Sequence, residues 1–298
     1  MTGPVIPTAT EYDLHANGVT IHYGTWGELN DPARVVLLIH GVTANHRSFS
    51  YLGPALAEQG WFVIAPDLRG RGLSSKPAYG SGIPFFATDL MALCDHFNLS
   101  KVNLVGHSLG SLISMYFATL YPQRTGKVVL VDAGGIVPPD TLQAIGVAIS
   151  RLGTVYPSMD SYLDVFRKSG LIEWNELWES HYRYDAEEHE DGTVRSRVAR
   201  HLVFEEFSLN ALLKTENFPN GVKSPTLILR ATRGLLGPDK GLLLLPEEVE
   251  RLCGIIPGCR AQDIPGANHY DIIINSILRD AVLQFFGSSS IYEGPVSE

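Results

Sequence analysis

The sequence predicts an α/β fold, a doubly wound and mostly parallel sheet interrupted by one helical cap insertion. Three observations predict it. Short, continuous apolar runs recur along the chain, as strands buried on both faces do. Amphipathic helical patterns alternate with those runs. The alternation breaks once, after Asp132, and resumes near Thr226.

Residues 11–26 alternate around Asn17-Gly18, a two-residue hairpin signal. Apolar runs follow at Arg34 to His40, Trp61 to Ala65, Val102 to Val105 and Val128 to Val131. Between them, Phe86, Leu90, Leu93, Cys94 and Phe97 share one helical face, as do Leu112, Ile113, Tyr116, Phe117 and Leu120. Right-handed crossovers between parallel strands follow from that order. From Gly135 to Val222 the sequence reads as mostly helical and aromatic-rich. Strand patterns return at Thr226 to Leu229 and Ala261 to Ile264. A last amphipathic helix carries Ile274, Ile277, Leu278, Ala281 and Phe285. The core is therefore read as residues 1–134 and 223–298, the helical cap as residues 135–222, and the residues after Ser288 as a loose tail.

The 298 residues, 45% hydrophobic and 18% charged, suffice for one large core with an insertion. A net charge of −9 repels polyanions, so nucleic acid is not expected as a partner. Three cysteines, Cys94, Cys253 and Cys259, are too few for a disulfide framework, and a Cys253–Cys259 bridge is the less favoured reading. Met1 to Ala16 lacks the basic start and apolar run of a signal peptide. No stretch approaches the ~20 apolar residues of a membrane span. A soluble cytoplasmic protein without a membrane partner is the expectation. The sequence leaves the oligomeric state open.

Gly106-His107-Ser108-Leu109-Gly110 lies between an apolar strand and an amphipathic helix. A nucleophilic serine must be thrust above the sheet by a sharp, strained turn. Glycines two residues to either side remove the Cβ atoms that would clash there. The following helix points its N-terminus at the site, which favours developing negative charge. His40-Gly41-Val42-Thr43 ends an earlier strand. Acyl transfer needs N–H donors aimed at an oxyanion, and the backbone of Val42 and of Leu109 can supply them. Gly266-Ala267-Asn268-His269 follows the last strand, which makes His269 the candidate base. His40 and His107 are assigned to packing.

Together with Asp67-Leu68-Arg69-Gly70-Arg71-Gly72-Leu73-Ser74, these motifs resemble the α/β-hydrolase superfamily. The similarity is to its serine esterase and lactonase-like members with a helical cap, and it covers about residues 11–287. It implies a triad in chain order serine, acid, histidine. It is less specific for substrate, because the fold hosts many chemistries. Residues 67–71 are read as a structural turn of that family.

The acid departs from the family's usual place. Arg230-Ala231-Thr232-Arg233-Gly234 follows the strand where a carboxylate is usual, and Asp239 comes only later. Asp132 ends the preceding strand, the acid position of some members. Asp132 is preferred, with Asp239 the alternative. The preferred assignment requires a carboxylate oxygen of Asp132 roughly 2.6–3.2 Å from a ring nitrogen of His269.

Ser108 disfavours epoxide hydrolase or haloalkane dehalogenase chemistry, which in this family uses an aspartate at the elbow. Hydrolysis of a small-molecule carboxylic ester or lactone through an acyl-enzyme is the expectation, with no cofactor. Amide or C–C bond hydrolysis is the alternative within the fold. A ligand receptor with slow turnover is the alternative outside enzymes. Asn45 and His46, in the oxyanion loop, and Trp174 and Trp178, in the cap, are candidates for substrate contact. Tyr156, Tyr162 and Phe166 are further cap aromatics that either line the pocket or pack on one another. His181, His189 and His201 lack matched carboxylates, so no metal site is read there.

Overall fold

A computed structural model describes residues 8–288, and the N-terminal residues 1–7 and the whole of the tail read after Ser288 lie outside the described residues. In chain order the elements are β1 (Thr10–Ala16), β2 (Val19–Trp26), β3 (Val35–Ile39), α1 (Leu52–Glu58), β4 (Phe62–Pro66), α2 (Ile83–His96), β5 (Val102–His107), α3 (Leu109–Leu120) and β6 (Thr125–Val131). The insertion holds α4 (Pro139–Ser150), α5 (Met159–Arg167), α6 (Glu176–Asp185), β7 (Ala186–Glu188), β8 (Val194–Ser196) and α7 (Arg200–Leu212). The chain closes with β9 (Thr226–Ala231), α8 (Pro246–Ile255), β10 (Arg260–Ile264) and α9 (Ser276–Gly287).

The main sheet has eight strands in the order β1-β2-β4-β3-β5-β6-β9-β10. β1 and β2 are antiparallel and form the predicted hairpin, with Asn17 and Gly18 both at positive φ (51° and 73°), as a two-residue I′ turn requires. β2 runs antiparallel to β4, and from β4 onward the pairs are parallel. The apolar runs are buried on both sides. Val35, Leu37 and Ile39 of β3 pack into the layer of α2, α3 and α8, while Val36 and Leu38 pack into the layer of α1 and α9. Burying each such side chain stabilises the fold by about 1.5–3 kcal/mol.

This order contains a switch point. From β3 the chain crosses to β4 on one side, and from β4 it returns to β5 on the other. The loops after β3 and β5 therefore part to opposite faces. A crevice at the carboxyl ends of the strands is where such sheets bind ligands.

The short helices α1 and α8 and the three-residue strands β7 and β8 add to what periodicity predicts, because segments so short carry too few positions to show a period. Cys253 and Cys259 are free thiols whose Sγ atoms lie 2.9 Å apart. No described helix is long and apolar enough to cross a membrane.

The turn from β5 into α3 depends on close approach. A Cβ on Gly106 would stand 2.1 Å from the Gly110 carbonyl oxygen, and one on Gly110 would stand 2.0 Å from the Ile39 carbonyl oxygen. Both obstacles are backbone, so neither can swing aside. Gly110→Ala is expected to lower stability by about 3 kcal/mol or more, since overpacking with no room to relax lies at the upper end of such costs. Thermal unfolding of the purified variant checks this, and an unchanged Tm would refute the tight packing.

Candidate active site

Ser108 caps α3 with φ 57° and ψ −120°, outside the regions that L-residues favour. Its neighbours hold it there. The Ser108 N–H donates to the Val131 carbonyl at 3.0 Å, and the Ser111 N–H donates to the Ser108 carbonyl at 2.9 Å. The buried Ser111 hydroxyl donates to the Gly106 carbonyl at 2.7 Å and accepts from the Val131 N–H at 3.1 Å, lashing β5 to β6 beneath the elbow. Gly41 lies directly beside the serine: a Cβ there would sit 3.1 Å from Ser108 Cβ and 3.6 Å from Ser108 Oγ.

Asp132 follows β6 directly and is buried, also at positive φ (50°). His269 Nδ1–H donates to Asp132 Oδ2 at 2.8 Å, and the Ala231 N–H donates to Asp132 Oδ1 at 2.9 Å. Both carboxylate oxygens are thus engaged, and the first bond leaves His269 Nε2 as an acceptor. Burial pushes the His269 imidazole down to about 3 and the Asp132 carboxyl up to about 7, because charge is costly on either side of this buried pair. The imidazole is consequently neutral at neutral pH, as a proton acceptor must be.

Asp239 is exposed in the turn that follows β9, in place of reaching the histidine. The arginines of that loop serve another end. The Arg233 N–H and Nε–H donate to the carbonyls of Ala267 and Gly266 at 2.9 and 3.0 Å, and its guanidinium pairs with Asp271 at 2.6 Å. This loop therefore grips the backbone just before His269 and the Asp271 side chain just after it. His107 adds a third hold, donating from Nε2 to the His269 carbonyl at 2.9 Å.

The oxyanion loop is fixed from below. His40 donates from Nδ1 to the Gly41 carbonyl at 2.7 Å and accepts from the Leu68 N–H at Nε2, 3.0 Å away. The fully buried Arg71 donates from Nε to the Val42 carbonyl at 2.9 Å and pairs with Glu206 of α7. Among the described residues the Val42 N–H takes no backbone partner, and Leu109, the first residue of α3, has none within its helix.

Two of the four candidate contact residues are bound into the scaffold. Asn45 is fully buried; it caps the 3-10 turn His46–Phe49 and donates to the His181 carbonyl at 3.4 Å. His46 is fully buried and bonds to Asp67 at 3.0 Å. Their polar atoms are spent on the scaffold, which corrects the expectation of substrate contact. Trp178 is 3% exposed and stacks on Tyr182, which also stacks on Phe166 and Trp174. Trp174 donates from Nε1 to Glu179 at 3.0 Å. Both tryptophans stack on Tyr182 of α6, and Trp178 also lines a small cavity with Ser48, His181 and Ile273. Tyr162, buried and bonded to Asp185, belongs to the same packing.

A family model described as the α/β hydrolase fold matches residues 34–276. The chain belongs to the α/β-hydrolase family. A 3-hydroxybutyrate-oligomer hydrolase of Cupriavidus necator is 34% identical over 126 residues, 42% of this chain and 42% of that protein. A soluble epoxide hydrolase of a Corynebacterium species is 38% identical over 109 residues, 37% of this chain and 36% of that protein. These matched regions span less than half the length of either curated relative. The crystal structure of an E-2-(acetamidomethylene)succinate hydrolase superposes with a TM-score of 0.80 at 21% identity, over 94% of this chain and all of the other. At that identity the likeness is one of hydrolase fold.

Glu206 carries no sequence signal, standing 135 residues from Arg71. Glu206→Gln is expected to destabilise the chain by about 3 kcal/mol, because it leaves the Arg71 guanidinium buried and less well compensated. Denaturant unfolding measures it, and a loss under about 0.5 kcal/mol would show that Arg71 does not depend on this partner.

Proposed function

We propose that the chain is a serine hydrolase that cleaves a carboxylic ester or lactone of a small to medium, largely apolar substrate through an acyl-enzyme. The observation that carries the reading is the 2.8 Å bond from His269 to Asp132 at the same sheet end as the strained Ser108. Ser108 attacks the carbonyl carbon, and His269 takes its proton at Nε2. Asp132 stabilises the imidazolium and keeps the tautomer. The N–H groups of Val42 and Leu109 receive the oxyanion. His269 then returns the proton to the leaving alkoxide, and a water activated in the same way releases the acid.

Two relatives bear epoxide hydrolase names, but their kind of reaction in this fold uses an elbow carboxylate, and position 108 offers a hydroxyl. The apolar preference rests on the wall above the oxyanion loop. Val42 and Ile145 each pack against a buried cluster of Ile149, Leu152, Val198 and Val203, the last in α7. We read residues 135–222 as a cap that selects the acyl group, with α4 as its part nearest the site.

Multiple-turnover assays on aryl esters, alkyl esters and lactones test the reading. Ser108→Ala is expected to lower kcat by about 10⁴-fold or more with the fold intact. A serine-directed phosphonate should label Ser108. Sustained turnover by the alanine variant, or wild-type protein that stalls after about one turnover, would overturn it. Asp132→Asn should cost about 10⁴-fold in kcat, on the pattern of triads that lose the correct tautomer, while Asp239→Asn should cost little.

The pH profile follows from the buried histidine. Its pKa is depressed, so the neutral base persists as pH falls through the ordinary histidine value of about 6.5 and is lost only lower. The acid limb of kcat/KM is expected below pH 6.5. A limb centred above 7 would show that Asp132 holds His269 protonated in the free enzyme.

A further inference from the structure

At the opposite edge of the molecule from β10, the hairpin β1–β2 gathers a second group of histidines and carboxylates. The register sets Asp13 opposite His22 and Glu11 opposite Gly24, and strand alternation puts Glu11 and Asp13 on one face. His46 arrives from the 3-10 turn after the oxyanion loop, and Asp67 from the end of β4. His46 and Asp67 are fully buried, and His22 is 7% exposed. One ligand atom from each of His22, His46 and Asp67 lies within 4.8 Å of the others.

The two imidazoles are prepared alike. His22 Nδ1 lies 2.8 Å from Asp13 Oδ1, and His46 Nδ1 lies 3.0 Å from Asp67 Oδ1. Each carboxylate accepts a hydrogen bond from the facing Nδ1–H, and the neutral form of each ring then presents an Nε2 lone pair. Both Nε2 atoms are sealed from solvent and neither has a hydrogen-bond partner. Such orphaned buried atoms are rare and ask for a reason. Both face one carboxylate: His46 Nε2 is 3.3 Å from Glu11 Oε1, and His22 Nε2 is 3.4 Å from Glu11 Oε2.

We propose that His22, His46 and Glu11 bind a divalent transition metal, zinc by ligand type, with Asp13 and Asp67 orienting the two imidazoles. Neighbouring ligand atoms of a tetrahedral zinc ion with bonds of about 2.0–2.1 Å stand about 3.3–3.4 Å apart, and each Nε2 stands at that distance from one of the two Glu11 oxygens. A histidine that ligates through one nitrogen and gives its other N–H to a carboxylate is the recurrent pattern of such sites. Imidazole with carboxylate suits zinc and its neighbours in the series, and suits calcium or magnesium poorly. The local charge is right in sign: Glu11, Asp13 and Asp67 outweigh the single guanidinium of Arg47, which lies 3.0 Å from Glu11 Oε1 and competes for that oxygen. Tyr184 donates to Asp67 Oδ2 at 2.6 Å, so the orienting carboxylate is itself held. The ion would tie β1, β2 and the turn that follows the oxyanion loop into one unit. It is a structural site, separate from Ser108 chemistry.

The test uses the full chain, stripped with chelator and titrated with Zn²⁺ alone by calorimetry and elemental analysis. One equivalent should bind and raise Tm, and Co²⁺ alone should give the visible bands of a four-coordinate ion. Glu11→Gln, at a half-exposed side chain that the fold tolerates, should weaken binding at least tenfold and remove the Tm rise. Asp13→Asn should weaken it about 10–100-fold, as loss of an orienting carboxylate does. Cys253→Ser removes half of the Cys253–Cys259 thiol pair, the other soft donors of the chain, and should leave binding unchanged. Failure of the folded, stripped protein to take up stoichiometric Zn²⁺ overturns the proposal. So does uptake that survives Glu11→Gln, or uptake lost in Cys253→Ser.

Discussion

The approach of α3 to β3 across β5 is the constraint on which the active end of the sheet rests. With Gly106 and Gly110 bare of side chains, the helix begins directly over the strand, and Ser108 is forced into a positive φ. That strain is retained because Ser111 and the strand pairs around it over-determine the turn. The same closeness brings the first N–H groups of α3 beside the loop after β3. The strained Ser108 and the free N–H groups beside it are thereby products of a single packing event.

Around this turn charged side chains hold the loop backbone, Arg71 and Asp67 from the interior and Arg233 from a partly exposed position. Arg71 holds the Val42 carbonyl, Arg233 holds the carbonyls beside His269, and Asp67 accepts from the N–H groups of His46 and Leu73. A Cβ on Gly72 would meet Asp67 Oδ2 at 1.9 Å, so that turn closes around the carboxylate. Loops at the mouth of a sheet lack ladder partners, and charged side chains supply fixed ones at roughly twice the strength of neutral hydrogen bonds. The geometry needed for chemistry is held by groups that take no part in it.

Much of this was legible in the sequence because it is local. The hairpin turns on two residues, the elbow on five, and each buried strand announces itself as an apolar run. Asp132 was readable too, since it ends a strand and the next loop offers arginines where the family's carboxylate is usual. What could not be read are pairings between distant positions. Nothing in the chain ties Glu206 to Arg71 or His46 to Asp67, and a histidine or tryptophan near a motif looks the same whether it faces a cavity or a neighbour. Asn45 and His46 illustrate this: both stand in the loop after β3, and both are fully buried with their polar atoms bonded to the scaffold.

The insertion starts after β6 and ends before β9, and these two strands are paired neighbours, with Val128 beside Thr226. Because the two strands are parallel, the segment leaves at the carboxyl end of β6 and returns to the amino end of β9, so the sheet fixes both of its ends about one strand length apart. Closing a chain excursion between fixed points costs entropy that grows only as the logarithm of its length, about 0.6 kcal/mol for each doubling. Lengthening, shortening or replacing this segment thus barely taxes the sheet beneath, provided that the contact from Glu206 to Arg71 is kept or both partners are lost together. The sheet can carry a different segment there without reopening the question of how it folds.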